Sequence, residues 1–377
     1  MIRVENLDNY PRNNRYYGGN AGKKYGITIN GEDWMVKFPK STQDFSRAGV
    51  SYTTSPISEF LGSHIYELLG IPVHETMLGY RDGKIICACK DLERKDAKWV
   101  EFKEIKNANL RDEAVYLGGD SSGEGTILSD VLEVLETEPI FTNRPDIKER
   151  FWDMFVVDAF IRNGDRNNTN WGVYIFPDGK VELIPVYDNG NAFFTSRNDD
   201  QNKERLLSSE LIEQDAFGTY RSRFLTDDGH RIDSFAMIKD GLNEDLNKAV
   251  NRFVSRVDMA EIENFIDSVP EIYKDLLVLP SATKELYKVI LKKHFEEGIL
   301  PFSDQAQAQS IETHSIGLNA NLSQTRVGLD AQDPFAPKES AKDKIARASG
   351  GTSVRPDEGD LGSLGQSRLR LDDKADR

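Results

Sequence analysis

The chain has 377 residues but only two cysteines, Cys87 and Cys89, which lie two apart within one apolar run. That spacing is too tight for an ordinary disulfide, and two thiols cannot close a zinc site, so both read as reduced core residues. Long apolar stretches are missing as well, with nothing near the roughly 20 consecutive apolar residues of a membrane-spanning helix. The opening MIRVENLDNYPRNNRYYGG has no apolar segment of the secretory kind, which predicts a cytoplasmic protein with no membrane partner. Basic charge is in deficit: 48 Lys and Arg face 63 Asp and Glu, for a formal net charge of -15. Such a surface repels phosphate backbones, so nucleic acid is not an expected partner, whereas a compact phosphorylated cofactor can still be held locally. The five histidines, His64, His74, His230, His294 and His314, show no metal-ligand spacing and receive no role. No internal repeat or heptad run occurs, which argues against solenoids and long zippers.

Aromatic residues run out after Phe302, where only Phe335 remains. Residues 303–377 are rich in Gly, Ser, Asp, Gln and Ala; they cannot bury enough apolar surface to offset chain entropy and are predicted to form a disordered tail. Strand signals fill the first 140 residues. KYGITI and DWMVKF flank Asn30-Gly31, a strong hairpin cue, and GYRDGKIICAC repeats the form around Asp82-Gly83. One helix lies between them, with Ser55 as the expected N-cap, Pro56 at its first position and Gly70 as its C-cap. From Asp146 the apolar spacing turns helical, interrupted by a hairpin, NWGVYIFPDGKVELIPVYDNG, that turns at Pro177-Asp178-Gly179. The expected class is α+β: a β-rich lobe over 1–140, a helical lobe over 141–302 and the tail over 303–377.

Four elements stand in the order that phosphoryl transfer from a nucleotide requires. A glycine loop, Tyr17-Gly18-Gly19-Asn20-Ala21-Gly22-Lys23-Lys24, precedes a strand, so its backbone N–H groups could approach phosphate oxygens, with Lys23 or Lys24 adding charge. It matches neither Walker A nor GxGxxG, and a plain turn would look the same. Lys37 lies on the strand WMVKF, sharing a face with Met35 opposite Trp34, Val36 and Phe38. An ammonium there can hold phosphates if a helix glutamate orients it, and Glu59 is the natural partner; the plainer reading is a solvated edge lysine and an acidic first helical turn. Asp165 and Asn170, five apart in the polar loop NGDRNNTN, have the spacing that puts a base at an acceptor hydroxyl and an amide oxygen on magnesium. Asp8 with Asn13 and Asp158 with Asn163 share that spacing but not its loop context. After the hairpin, Asp188 leaves an apolar strand into Asn189-Gly190, where a carboxylate can chelate a metal; ordinary turn chemistry is the alternative.

Taken together, YYGGNAGKKYGITINGEDWMVKFPK, SPISEFLGSHIYELLGIPV, NGDRNNTNWGVY and PVYDNGNAF resemble the HipA-like serine/threonine kinases, most closely their stand-alone CtkA-like branch, over residues 10 to 300. The resemblance implies a two-lobed protein-kinase-like fold that uses ATP and Mg²⁺ to phosphorylate Ser or Thr hydroxyls on a protein substrate, its own chain included. It implies Lys37 as the phosphate-binding lysine and Glu59 as its helix partner. Asp165 would be the general base, Asn170 and Asp188 metal ligands, and Gly18, Gly19 and Gly22 part of the phosphate loop. The backbone from Cys87 to Asp91, Cys89 and Asp91 included, would be the hinge facing adenine. Two departures stand out: no Ser or Thr lies within residues 16–27 to expel the loop by autophosphorylation, and Asn167 occupies the place of a histidine. No helix-turn-helix antitoxin partner can be inferred, and delivery into another cell has no direct support. Thr195, Ser196, Ser208, Ser209, Thr219 and Ser222, after Asp188, are hydroxyls open to phosphorylation, and GGDSSGEG (118–125) reads as a flexible connector. Two other readings remain open: a phosphoinositide or small-molecule kinase on the same fold, and an inactive nucleotide-binding scaffold.

Overall fold

The first 90 residues fold as hairpins because their turn residues accept the left-handed conformation that tight turns need. The computed structural model describes residues 2–18, 22–45, 48–108 and 124–304. Strands β2 (Lys24–Ile29) and β3 (Glu32–Lys37) pair antiparallel across Asn30 (φ 51°) and Gly31 (φ 85°). Strands β4 (Thr76–Arg81) and β5 (Lys84–Lys90) do the same across Asp82 and Gly83. With β1 (Glu5–Asn6), parallel to β4, they form a five-stranded sheet in the order β1-β4-β5-β3-β2. Ile27, Trp34, Val36, Ile86 and Ala88 cover one face with a small apolar cluster, as the alternation predicts. Helix α1 (Ser55–Leu68) packs against β4 and β5. Its N-cap is Thr54 rather than Ser55, which forms the first helical residue; Leu69 is the C-cap, and Gly70 (φ 67°) follows it as the left-handed residue.

The helical part contains α2 (Phe102–Ala108), α3 (Leu128–Thr137), α4 (Pro145–Ile161), α5 (Asp199–Leu206), α6 (Ser209–Glu213), α7 (Ser234–Asp240), α8 (Glu244–Arg256), α9 (Met259–Ser268) and α10 (Ser281–Lys293). Buried α4 is its axis, with Phe151, Trp152, Phe155 and Phe160 in the core and α8 along one side. The expected hairpin is present as β7 (Gly172–Ile175) and β8 (Val181–Leu183). A third strand, β6 (Lys98–Glu101), pairs with β7, and α2 packs beside both β7 and α3. Residues 98–108 and 124–137 therefore build on the helical side. One apolar cluster runs from Ile57 and Leu61 of α1 through α4 to Ile290 of α10. Met1–Leu318 form one compact unit. The expected tail lies, apart from Ser303 and Asp304, outside the described residues, as does most of 118–125.

Candidate active site

Lys37, at the end of β3, points away from the small apolar cluster into a cleft of about 1420 Å³. Its Nζ lies 2.8 Å from Glu59 Oε2 on α1 and 2.8 Å from Asp188 Oδ1 beyond β8. Burial pushes the ammonium down, but the Asp188 and Glu59 carboxylates outweigh it and hold its pKa well above the ordinary value. Glu59 is fully buried, where desolvation alone would raise its carboxyl; Lys37 and His74 reverse that and keep it far below the usual range. Glu59 is thus not a solvated residue of a first helical turn. Its second oxygen accepts from the Asn189 backbone N–H at 3.1 Å and lies 3.0 Å from His74 Nε2. Ser63 Oγ is 3.0 Å from the same His74 nitrogen and accepts from Asn189 Nδ2 at 3.1 Å. One buried network therefore joins β3, α1, His74 and the residue after Asp188.

The loop after α4 places Asp165 in the same cleft. Asn170 Nδ2 donates to the Asp165 backbone carbonyl at 2.8 Å, closing the loop on itself, while Thr169 Oγ1 donates to Asn170 Oδ1 at 3.2 Å. The Asp165 carboxyl is raised above the usual carboxylate range by burial and then by the negative charge of Asp188, with Arg223 opposing. Asp188 holds φ 61°, a strained conformation for a non-glycine residue and one that concentrates at functional sites. Arg166 locks these pieces together. It donates to Asp158 Oδ2 at 2.8 Å, to Asn189 Oδ1 at 2.6 Å, to the Asn170 carbonyl at 3.0 Å and to the Tyr187 carbonyl. Asp158 accepts further bonds from Tyr66 Oη and Asn163 Nδ2, at 2.9 and 3.0 Å.

The structure thus brings together Lys37, Glu59, Asp165, Asn170 and Asp188. Gly18 lines the cleft, Gly19 falls outside the described residues, and Gly22 (φ 89°) lies against Lys40 and Phe38. Of the two lysines after the loop, Lys24 stands opposite Lys37 in the β2–β3 register and lines the cleft, whereas Lys23 pairs with Asp82 at 3.1 Å. Asp91 lies at the cleft's far end, where Tyr17 Oη donates to it at 2.8 Å. Cys89 stands apart from the cleft surface: it is buried inside β5, in register with Met35 on one side and Thr76 on the other. Its Sγ lies with Glu59 and His74 in a group whose donor atoms are within 4.8 Å of one another, but the Lys37 ammonium on Glu59 disfavours a cation there. The far wall is made by Met35, Leu92, Trp99 and Tyr187, the two rings 5.0 Å apart, which no sequence signal had marked.

No protein-family model matches the chain. The serine/threonine-protein kinase CtkA of Helicobacter pylori is 31% identical over 265 residues, covering 69% of this chain and 78% of that protein. The crystal structure of a Helicobacter pylori proinflammatory kinase CtkA superposes with a TM-score of 0.69 at 27% identity, covering 80% of this chain and 97% of that one. A HipA, HipB and operator DNA complex from Shewanella oneidensis MR-1 gives a TM-score of 0.43 at 17% identity, over 76% of this chain and 65% of that one. Among the described residues, no helix is long and apolar enough to cross a membrane.

Proposed function

The chain belongs to the CtkA-like serine/threonine-protein kinases, and on that footing we propose that it transfers the γ-phosphoryl of ATP, with Mg²⁺, to serine or threonine hydroxyls of a protein, its own chain included. The observation that carries this reading is the convergence of Lys37, Glu59, Asp165, Asn170 and Asp188, drawn from the sheet side and the helical side alike, on one cleft. Lys37, fixed by Glu59, would hold the α- and β-phosphates, and Lys24 would add charge beside it. The Gly18–Gly22 loop would cover the phosphates. Adenine would lie between Met35, Leu92 and Trp99, with the backbone around Asp91 at its edge; Cys89, buried beside Glu59 and His74, would not meet the base.

The residues present suit magnesium. Asp188 and Asn170 offer hard oxygen donors, and the Asp165 carboxyl is raised by burial and then by the charge of Asp188, a repulsion that a cation would relieve. Bound there, magnesium would neutralise charge on the phosphates. Asp165 would accept the proton of the acceptor hydroxyl, and its loop, closed by Asn170 and Arg166, would hold the carboxylate in place for it.

Incubation of the full chain and a generic protein acceptor with γ-labelled ATP and Mg²⁺ tests the reading. Asp165→Asn should lower transfer by roughly 10²- to 10⁴-fold while leaving nucleotide affinity within a few-fold. Turnover by Asp165→Asn near that of the wild type would remove Asp165 from the role of base, and absence of ATP binding by the wild type would overturn the whole assignment.

A further inference from the structure

Beyond the cleft, the segment that follows Asp188 surrounds one buried carboxylate with three arginines. Asp215 is fully buried and accepts from Arg197 at 2.7 and 2.8 Å and from Arg205 Nε at 2.8 Å. Arg162, the left-handed residue (φ 62°) that ends α4, donates to the backbone carbonyl of Asp215. One carboxylate thus faces three guanidinium groups. Burial pushes Arg162 down to about 10, with Asp215 opposing and the neighbouring Arg197 and Arg205 adding repulsion. Its Nε is buried without a hydrogen-bond partner. Its Nη2 donates, at 3.0 Å, to Oγ1 of Thr219, an exposed residue directly after the π-helical turn Gln214–Gly218. Two neighbouring hydroxyls are committed elsewhere: Ser208 caps α6 by accepting from the Leu211 N–H, and buried Ser222 accepts from that of Phe224.

A neutral hydroxyl satisfies one donor of this site and none of its charge. A phosphate on the same oxygen would bring close to two negative charges and three strong acceptors, and arginine is the side chain best suited to receive them. We propose that Thr219 is a phosphorylation site and that Arg162, backed by Arg197 and Arg205, is the clamp for its phosphate. The inference rests on the kinase reading for its donor. The bond between the γ-phosphorus and the ADP oxygen breaks, a bond to Thr219 Oγ1 forms, and the hydroxyl proton passes to the base. The effect would reach the cleft through both flanks. Arg162 directly precedes Asn163, whose Oδ1 accepts from the Asp165 N–H at 3.3 Å, and Arg221, two residues after Thr219, has its carbonyl against Gly164. Four residues after Thr219, Arg223 lines the cleft. Phosphorylation would thereby fix the start of the catalytic loop and the strip Thr219–Arg223 as one piece.

Two measurements on the full chain decide the matter. In the first, phosphothreonine is installed genetically at position 219 in an Asp165→Asn background, and limited proteolysis between Thr195 and Arg223 is timed. The phosphate should slow cleavage roughly 10-fold, an effect lost in Arg162→Gln and weakened in Arg162→Lys, which keeps the charge but not the fork. Equal cleavage with and without the phosphate, or protection that survives Arg162→Gln, overturns the clamp. In the second, wild type and Thr219→Val are incubated with ATP and Mg²⁺ and their phosphorylated peptides mapped. Phosphate on Thr219 supports the assignment. Labelling of a protein acceptor while Thr219 stays unmodified sinks this proposal alone, whereas absence of all transfer sinks the kinase reading and leaves the first measurement to judge the clamp.

Discussion

A lysine can serve a phosphate only if it is charged, held and still free to exchange its partner, and Lys37 meets the three conditions through two different carboxylates. Glu59 is buried and fixed by His74 and the Asn189 N–H, so it orients the ammonium; the Asp188 side chain is a third exposed and can turn from Lys37 to a cation. Lys37→Met should therefore lower transfer by roughly 100-fold or more, the usual effect of losing one preorganised charge donor. Glu59→Gln should cost less, because the amide oxygen can still accept from the ammonium, and should show mainly as a higher KM for ATP; steady-state kinetics across both variants check the order. Glu59→Gln losing more than Lys37→Met would contradict it. The five residues that meet in the cleft were legible in the sequence because each belongs to a short local pattern: a strand face, a helix start, a polar loop, a strand exit. Their supports were not. His74, Arg166 and Asp158 act on partners such as Glu59 and Asn189, and nothing in their own neighbourhoods marks that. Asp158 shares the Asp–Asn spacing without its loop context, yet it anchors the loop that carries Asp165.

At the scale of elements, α1 must bring Glu59 within reach of Lys37 while lying against the turn after Asp188, and Gly62 is where that approach is closest. A Cβ added there would meet Asn189 Cβ at 2.8 Å and Ile161 Cδ1 at 3.4 Å. Gly62→Ala should cost about 1–3 kcal/mol through overpacking, despite the better helix propensity of alanine, and should lower kcat/KM by moving Glu59 away from Lys37. Urea denaturation and kinetics read the two effects separately; a stabilised, fully active variant would show that α1 has room to move. The segment from α5 to the π-helical turn makes a pH prediction. Burial alone would raise the Asp215 carboxyl, but Arg197 and Arg205 hold it below the ordinary value. A depressed folded-state pKa contributes stability above the unfolded value, about 3.9 for aspartate, and loses it as pH falls through the folded one. Hydrogen-exchange protection across Gln214–Gly218, taken relative to the intrinsic rate at each pH, should accordingly fall below about pH 4, and Asp215→Asn should show low protection already at neutral pH. Sequence pattern identified the hairpins because Asn-Gly and Asp-Gly turns are local chemistry. It missed β6, a four-residue strand whose partner lies some seventy positions later, and misplaced the helix cap by one residue, because Thr54 and Ser55 are both plausible capping residues.

For the molecule as a whole, the decisive feature is that the sheet lobe has no large core of its own. The small cluster on the outer face of β2, β3 and β5 is separate, but α1 and the inner side of β4 and β5 contribute Ile57, Leu61, Leu78 and Cys89 to the apolar cluster that contains α4. The buried pair of Arg166 and Asp158, and the Lys37, Glu59 and Asp188 group, tie the same parts together with bonds that lose their partners if either side opens. The two lobes should therefore melt in one calorimetric transition, and a ligand held in the cleft should raise that transition as a unit. At a nucleotide concentration 100 times its Kd the gain would be about 2.7 kcal/mol. The magnesium dependence follows from the charges. Without a cation, a triphosphate must approach Asp165 and Asp188, so ATP with EDTA should stabilise much less than ATP with Mg²⁺. Asp188→Asn removes one of those charges and one cation ligand together, so it should narrow the difference between the two conditions from both ends. Two separate transitions, only one of them responding to ATP, would mean that the lobes fold independently and that the shared core is not what couples them. A single transition whose magnesium increment persists in Asp188→Asn would instead move the cation away from Asp188 while leaving the coupling intact.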